Sequence, residues 1–452
     1  MTPTLRPIAP TSGDREILTT RLAHARARTD ELFALLSPDA LYERPIPERH
    51  RLVFYLGHLE AFDANLLRQA YGLASFNPDF DKLFAFGIDP TDGGLPNEPP
   101  SAWPSPESIR AYNARVREAV DECLAGVYPI RPEYDEETIL DMALEHRLMH
   151  AETLAYLLHR LPYEVKHGHA DPPLRAPAGA ARAESIRIPA GRATLGLERA
   201  SGRFGWDNEF EARSVSVPEF SIDKHKVTNG RFLEFVEAGG YAERRFWSED
   251  DWAWKEAQRL QHPSFWIRRG NEWLWRGMFA ESPLDLIAPV YVSLAEASAF
   301  ARWAGRSLPT EAQFHRAAYG TPGGPDSPGS PESREREYPW GDDTPASKHG
   351  NFDFQRWDPT PVGAHPAGAS AFGVDEMVGN GWEWTSTPFG PFDGFRPHPL
   401  YAGYSADFFD GKHHVMKGGS PRTAACMLRR SFRNWFQPRY GYVYAAFRTV
   451  AA

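Results

Sequence analysis

The chain changes character near residue 165, and that change limits its possible folds more than any other feature. Before it, apolar residues recur at helical spacing. Residues 15–36 carry Leu18, Leu22, Leu32, Phe33 and Leu36, and residues 48–72 carry Leu52, Tyr55, Leu56, Leu59 and Phe62. Residues 106–125 and 134–161 repeat the pattern, while 75–105 reads as loop. The last stretch is acidic at its start and ends in His159 and Arg160, which suits the helix dipole, and Pro162 closes it. Four such segments predict an antiparallel four-helix bundle over residues 10–162. Residues 163–185 read as a linker rich in Ala, Pro and charge. From residue 186 to 452 the texture is short strands, turns and aromatics. IRIPAGRATLGL reads as a hairpin turning near Gly191. Residues 229–237, 292–304 and 310–318 read as short helices, with Thr228 and Thr310 as caps. Residues 321–337 read as an exposed loop. The expectation is an α+β protein of two domains.

Composition excludes several classes. Of 452 residues, 60 are acidic and 50 are Lys or Arg, giving a net charge of -10. General affinity for nucleic acid or an anionic membrane is not expected from that balance. No run reaches the roughly 18 apolar residues of a membrane span, and the first 30 residues lack the apolar core of a secretory signal. Cys123 and Cys426 are the only cysteines, too few for a disulfide scaffold or a four-thiolate metal site. A cytoplasmic monomer is the expectation.

His146 and His150 stand four apart in the fourth helix and so share a face. A helix offers two imidazoles to one metal ion in this way. His58 lies in the second helix, in LVFYLGHLEAF, and a bundle can bring the two helices together. Three imidazoles suit iron, zinc, nickel or copper. His50 is a nearby alternative at the helix start. The spacing is HxxxH rather than HExxH, so a zincin site fails. Glu60, Glu145 and Glu152 could orient the imidazoles, although solvent is their default environment. Among 16 histidines, one i, i+4 pair is weak evidence by itself.

In the second region, FGWDNEF (204–210), KVTNGRF (226–232), GRSLPTEAQF (305–314), YPWGDD (338–343), MVGNGWEWTS (377–386) and MKGGS (416–420) combine turn glycines with aromatics. Arg433, Asn434, Trp435, Phe436, Gln437, Arg439, Tyr440, Tyr442 and Tyr444 crowd the C-terminal stretch. An aromatic floor with amide and guanidinium groups would suit a small zwitterion with a quaternary ammonium. Tyr and Trp serving as core residues with one polar end explain the same composition. No nucleophilic-serine elbow, phosphate loop or dinucleotide fingerprint occurs in a supporting context.

With these motifs in place, residues 15–161 resemble the DinB-like metal-binding bundle. Residues 186–450 resemble the formylglycine-generating-enzyme/sulfatase-modifying domain, a C-type-lectin-like fold. In this order they resemble the EgtB-type sulfoxide synthase family of ergothioneine biosynthesis, whose relatives include ovothiol synthase (OvoA) and selenoneine synthase (SenA). The resemblance implies a nonheme iron(II) centre held by His58, His146 and His150. It implies hercynine as substrate, with Asn434 and Trp435 matching the family's RNW motif and Arg433, Phe436, Tyr440 and Tyr442 beside them. A thiol or selenium donor would be joined to the imidazole C2 with O2 as oxidant.

The chain departs from the pattern in three places. In the type that uses γ-glutamylcysteine, an Asp follows RNW and an Arg follows a few positions later, whereas this chain has Phe436 and Tyr440. LFAFGIDPTDGG (83–94) lacks that type's basic residues, so a donor other than γ-glutamylcysteine is expected: cysteine or a selenosugar. The family's active-site tyrosine has no counterpart in Pro391-Phe392-Asp393-Gly394-Phe395, which leaves Tyr401 and Tyr404 as the catalytic candidates. Two alternatives stay open. One is OvoA-like coupling of cysteine to histidine. The other is a thiol-dependent DinB-type metal hydrolase or transferase.

Overall fold

The computed structural model describes residues 12–85, 99–174, 183–322 and 335–451. Residues 86–94 of LFAFGIDPTDGG, 175–182 of the linker and 323–334 of the expected exposed loop lie outside them. The chain divides into two compact units, with the division between Gly168 and His169.

The first unit contains α1 (Ser12–Ala34), α2 (Leu52–Tyr71), α3 (Pro78–Leu83), α4 (Pro106–Leu124) and α5 (Glu136–Arg160). The four long helices are those the apolar periodicity predicts. Their ends are chemically marked. Asp135 accepts from the Thr138 N–H at 2.8 Å, and Ser105 accepts from the Ser108 N–H at 3.3 Å. Gly72, at φ +71°, closes α2 in the left-handed conformation. Helix α2 packs on α4 and α5, and α1 packs on α5. Leu59, Leu66, Leu67, Val116, Val120, Leu154 and Leu157 are buried between them. Burying each such side chain contributes about 1.5–3 kcal/mol before entropy is counted.

Helix α3 falls in the stretch expected to be loop. It forms because Pro78 occupies its first position and the Asn77 side chain caps the Phe80 N–H at 3.2 Å. Asp81 then pins it to the bundle. Its carboxylate accepts from Tyr112 of α4 and Arg68 of α2, both at 2.6 Å, and also from Ser75.

The second unit mixes short strands with short helices. Strand β1 (Ser185–Ile188) pairs antiparallel with β4 (Phe220–Asp223), which also pairs with the terminal β12 (Val450–Ala451). Strand β2 (Gly191–Leu195) pairs instead with β3 (Arg213–Val217). The expected hairpin around Gly191 is therefore absent. The turn hands the chain from one sheet to another, because β1 finds its partner in β4 and not in its sequence neighbour. The remaining sheets are β5 (Trp266–Arg269), β6 (Glu272–Arg276) and β7 (Glu281–Pro283), and a four-stranded sheet of β8 (Trp382–Pro388), β9 (His414–Lys417), β10 (Asn434–Phe436) and β11 (Ala445–Ala446). Its order is β10-β9-β8-β11.

The helices here are α6 (Asn229–Glu237), α7 (Glu249–Gln258), α8 (Leu294–Trp303), α9 (Glu311–Tyr319) and α10 (Gly403–Ala406). Thr228 and Thr310 cap α6 and α9, accepting from Arg231 and Gln313 at 3.3 and 3.1 Å. One core cluster gathers Ile188, Val217, Phe220, Ile222, Phe314, Tyr319 and Met377. Among the described residues, no helix is long and apolar enough to cross a membrane. Cys123 is buried and Cys426 is exposed.

Candidate metal centre and aromatic site

Helices α2 and α5 bring His58, His146 and His150 together. One ligand nitrogen from each lies within 4.8 Å of the other two, and all three residues are buried. The Nε2 atoms of His146 and His150 are 3.1 Å apart. His58 Nδ1 lies 2.6 Å from the Phe84 carbonyl oxygen, an acceptor, so Nδ1 carries the proton. That leaves the lone pair of His58 on Nε2, which is buried and has no hydrogen-bond partner among the described residues. Burial pushes the His58 ring down to about 4, and it pushes His146 and His150 well below the ordinary imidazole range. All three rings are neutral at pH 7, which is the ligand form. A buried, unpartnered imidazole nitrogen converging with two others fits a divalent transition metal, and the donor set admits iron, zinc, nickel or copper. His50 is not one of the converging three. It stacks on Phe54 at 4.0 Å.

The walls are aromatic. Phe54, His58 and Phe62 follow one another at four-residue spacing on α2. Phe54 stacks on His58 at 4.8 Å, and Phe62 stacks on His146 at 3.5 Å. Glu60, Glu145 and Glu152 are all buried, which corrects the expectation that they face solvent. Glu60 does not orient an imidazole. Its carboxylate takes Arg147 at 2.7 Å and Arg117 at 2.8 Å, and Arg147 also reaches Asp63 at 2.7 Å. Burial alone would raise the Glu60 carboxyl, but the two guanidinium groups outweigh it and hold it low. Burial prevails at Asp63 and pushes its carboxyl up despite Arg147. The orienting partner of His58 is a backbone carbonyl, which carries no sequence signature.

In the second unit, antiparallel pairing sets Trp435 of β10 opposite Val415 of β9. Trp435 stacks on Phe389 with centroids 4.2 Å apart and planes 7° apart. Tyr404 meets it edge-on at 5.4 Å, and Phe408 lies at 5.6 Å. Tyr404 is itself stacked on Trp206 at 4.0 Å, with Tyr401 at 5.5 Å. Asn434 folds its amide oxygen onto the Trp435 N–H at 2.9 Å.

Phe436 belongs to a different group. It stacks on Tyr440 at 5.1 Å, and Tyr440 meets Tyr442 at 5.1 Å. Strand alternation accounts for the split, since Trp435 and Phe436 point to opposite faces. Arg433 is buried, and its guanidinium is occupied by Glu311 at 3.0 Å and by the carbonyls of Asn208 and Gly390 at 3.2 and 3.0 Å. Phe389 and Phe408 carry no sequence signal of this role. Phe389 lies five residues after the GWEW segment, but no spacing rule links it to Trp435.

A second buried network fixes the sheet below. Arg448 and Lys226 share Glu383 at 2.9 and 3.0 Å, and Arg448 also donates to the Glu376 carbonyl at 3.1 Å. Burial pushes the Glu376 carboxyl up to about 7, against the opposing charge of Lys226.

Comparison with known proteins agrees with this division. Residues 21–154 match the DinB superfamily, and residues 173–452 match the sulfatase-modifying factor enzyme 1-like domain. The fold is thus a DinB-like helical domain followed by an α+β sulfatase-modifying-type domain. The hercynine oxygenase of Mycobacterium tuberculosis is 37% identical over 76% of this chain and 77% of its own length. That of Mycolicibacterium smegmatis is 34% identical over 94% and 96%. Ergothioneine biosynthesis protein 1 of Neurospora crassa is 29% identical over 92% of this chain and 55% of its own length. The chain belongs to the hercynine oxygenase (EgtB-type) family.

Proposed function

We propose that this protein joins a sulfur or selenium donor to the imidazole C2 of hercynine in an oxygen-dependent reaction. The convergence of three neutral imidazoles in a member of this family carries the reading. His58, His146 and His150 would hold iron(II). The bound iron would supply the one-electron and O2 chemistry that protein side chains lack. With a thiol donor, RSH, hercynine and O2 balance to the C2 sulfoxide and one water.

The chain's own contribution is orientation. The Trp435 face, framed by Phe389, Tyr404 and Phe408, suits the trimethylammonium group of hercynine through cation–π attraction. Asn434 positions the Trp435 backbone. Tyr404 meets that ring edge-on and is the candidate proton donor, with Tyr401 beside it. Phe436 and Tyr440 stack on one another and occupy the places where the type that uses γ-glutamylcysteine carries an Asp and an Arg. This supports cysteine or a neutral selenosugar over γ-glutamylcysteine.

Mass spectrometry of an aerobic reaction tests the reading. Iron(II)-loaded protein is supplied with hercynine and an equimolar mixture of cysteine, γ-glutamylcysteine and a selenosugar. An oxygen-dependent adduct is expected, and its mass identifies the donor. An adduct that forms equally without oxygen, or none at all, would reject the proposal.

A further inference from the structure

Gly57 stands in the interior of α2, where glycine is destabilising relative to alanine. Its φ is helical, so conformation does not demand it. Space does. A Cβ on Gly57 would stand 2.5 Å from Phe84 Cε2 and 2.6 Å from two further ring carbons. The Phe84 ring is enclosed by other aromatic rings. It is fully buried, with Phe80 at 5.6 Å, Tyr112 at 6.3 Å, and Phe54 and Trp103 at 6.4 Å.

The same residue supplies the carbonyl that takes the His58 Nδ1 proton. Phe84 ends α3, with its N–H on the Phe80 carbonyl at 3.0 Å, and α3 is pinned by Asp81 to α2 and α4. A side chain at 57 would therefore push against a ring whose backbone holds the adjacent histidine.

We infer that Gly57 is a positioning residue of the metal centre. Its missing side chain lets Phe84 seat its carbonyl on His58 Nδ1 and lock His58 in the tautomer that presents Nε2 toward His146 and His150. The inference rests on the metal reading above. It adds that the tautomer is set by steric clearance on the neighbouring residue.

The test is a mutant cycle on the full-length protein, with redox-inert Zn(II) as the probe. Gly57→Ala is expected to weaken Zn(II) binding about 10–100-fold, the usual cost of disturbing a ligand's orienting partner. In the Phe84→Leu background, which keeps the carbonyl and shortens the ring, Gly57→Ala is expected to cost less than about 3-fold, because the two sites are coupled through the clash. Imidazole nitrogen NMR of the metal-free protein, with His58 assigned by its loss in His58→Gln, should show the Nδ1–H tautomer in the wild type. Gly57→Ala should shift it toward Nε2–H.

An equal cost in both backgrounds, or no cost in either, overturns the inference. So does an Nε2–H tautomer in the wild type, a result that stands even if Gly57→Ala fails to fold. Wild-type protein that takes no Zn(II) while its tautomer responds to Gly57→Ala sinks the metal reading and sustains the clamp.

Discussion

In the helical unit, three imidazoles converge because two long helices carry them at fixed rise and rotation. In the second unit, Trp435 stands on Phe389 because a three-residue strand is held against β9 and its neighbouring Arg433 is tied to Glu311 and two carbonyls. The first site depends on continuous secondary structure. The second depends on many separate hydrogen bonds from distant segments. The difference predicts how each fails: the three-histidine cluster through loss of one side chain, the aromatic site through graded weakening.

The sharpest break should come from His146→Ala. Removing one of three converging ligands is expected to abolish stoichiometric metal binding, measured as metal content after loading and desalting. Full occupancy in that variant would remove His146 from the centre. Next in size is Arg147→Ala. It takes the guanidinium partner from buried Asp63 and leaves buried Glu60 with Arg117 alone, and is expected to cost about 3–5 kcal/mol in denaturant unfolding. A loss below about 1 kcal/mol would place that network with weak surface pairs.

Glu376→Gln tests the buried charges of the second unit. The Glu376 carboxyl is raised to about 7, so its contribution to stability is fully present below its unfolded value near 4.5 and is lost as pH rises through 7. The variant should flatten the pH dependence of unfolding across that window. An unchanged slope would assign the dependence to other groups. The smallest effect is expected from Trp435→Ala. Loss of about 0.5–2 kcal/mol of cation–π attraction should raise the hercynine requirement roughly 2–30-fold, read in steady-state kinetics. An unchanged requirement would take Trp435 out of the substrate site.

Legibility in the sequence follows the same contrast. The four long helices and the His146–His150 pair were readable because a 3.6-residue period leaves a trace in one dimension. Thr228 and Thr310 were readable as caps for a similar local reason. Helix α3 was not, since it is short and its main anchors, Arg68 and Tyr112, lie well away in sequence. Glu60 looked like a solvent-facing residue because its partner Arg147 is 87 positions away. The β1–β2 turn resembled a hairpin because nothing local reveals that β1 prefers β4. The division between the Trp435 and Phe436 groups needed the strand pairing, and the Phe84 carbonyl belongs to a group every residue possesses. What sequence leaves hidden here is long-range pairing and backbone acceptors.

Helix α5 places Arg147 in its ion network and His146 and His150 in the three-histidine cluster within five consecutive positions. Each residue added to a helix rotates everything beyond it by about 100°. A single insertion between Arg147 and His150 would turn His150 out of the cluster while Arg147 stayed locked to Glu60 and Asp63. The length of this turn of α5 is therefore fixed, whatever stands at the positions between these three residues. An added or deleted residue leaves this geometry intact only outside that turn, for example in a connection between helices.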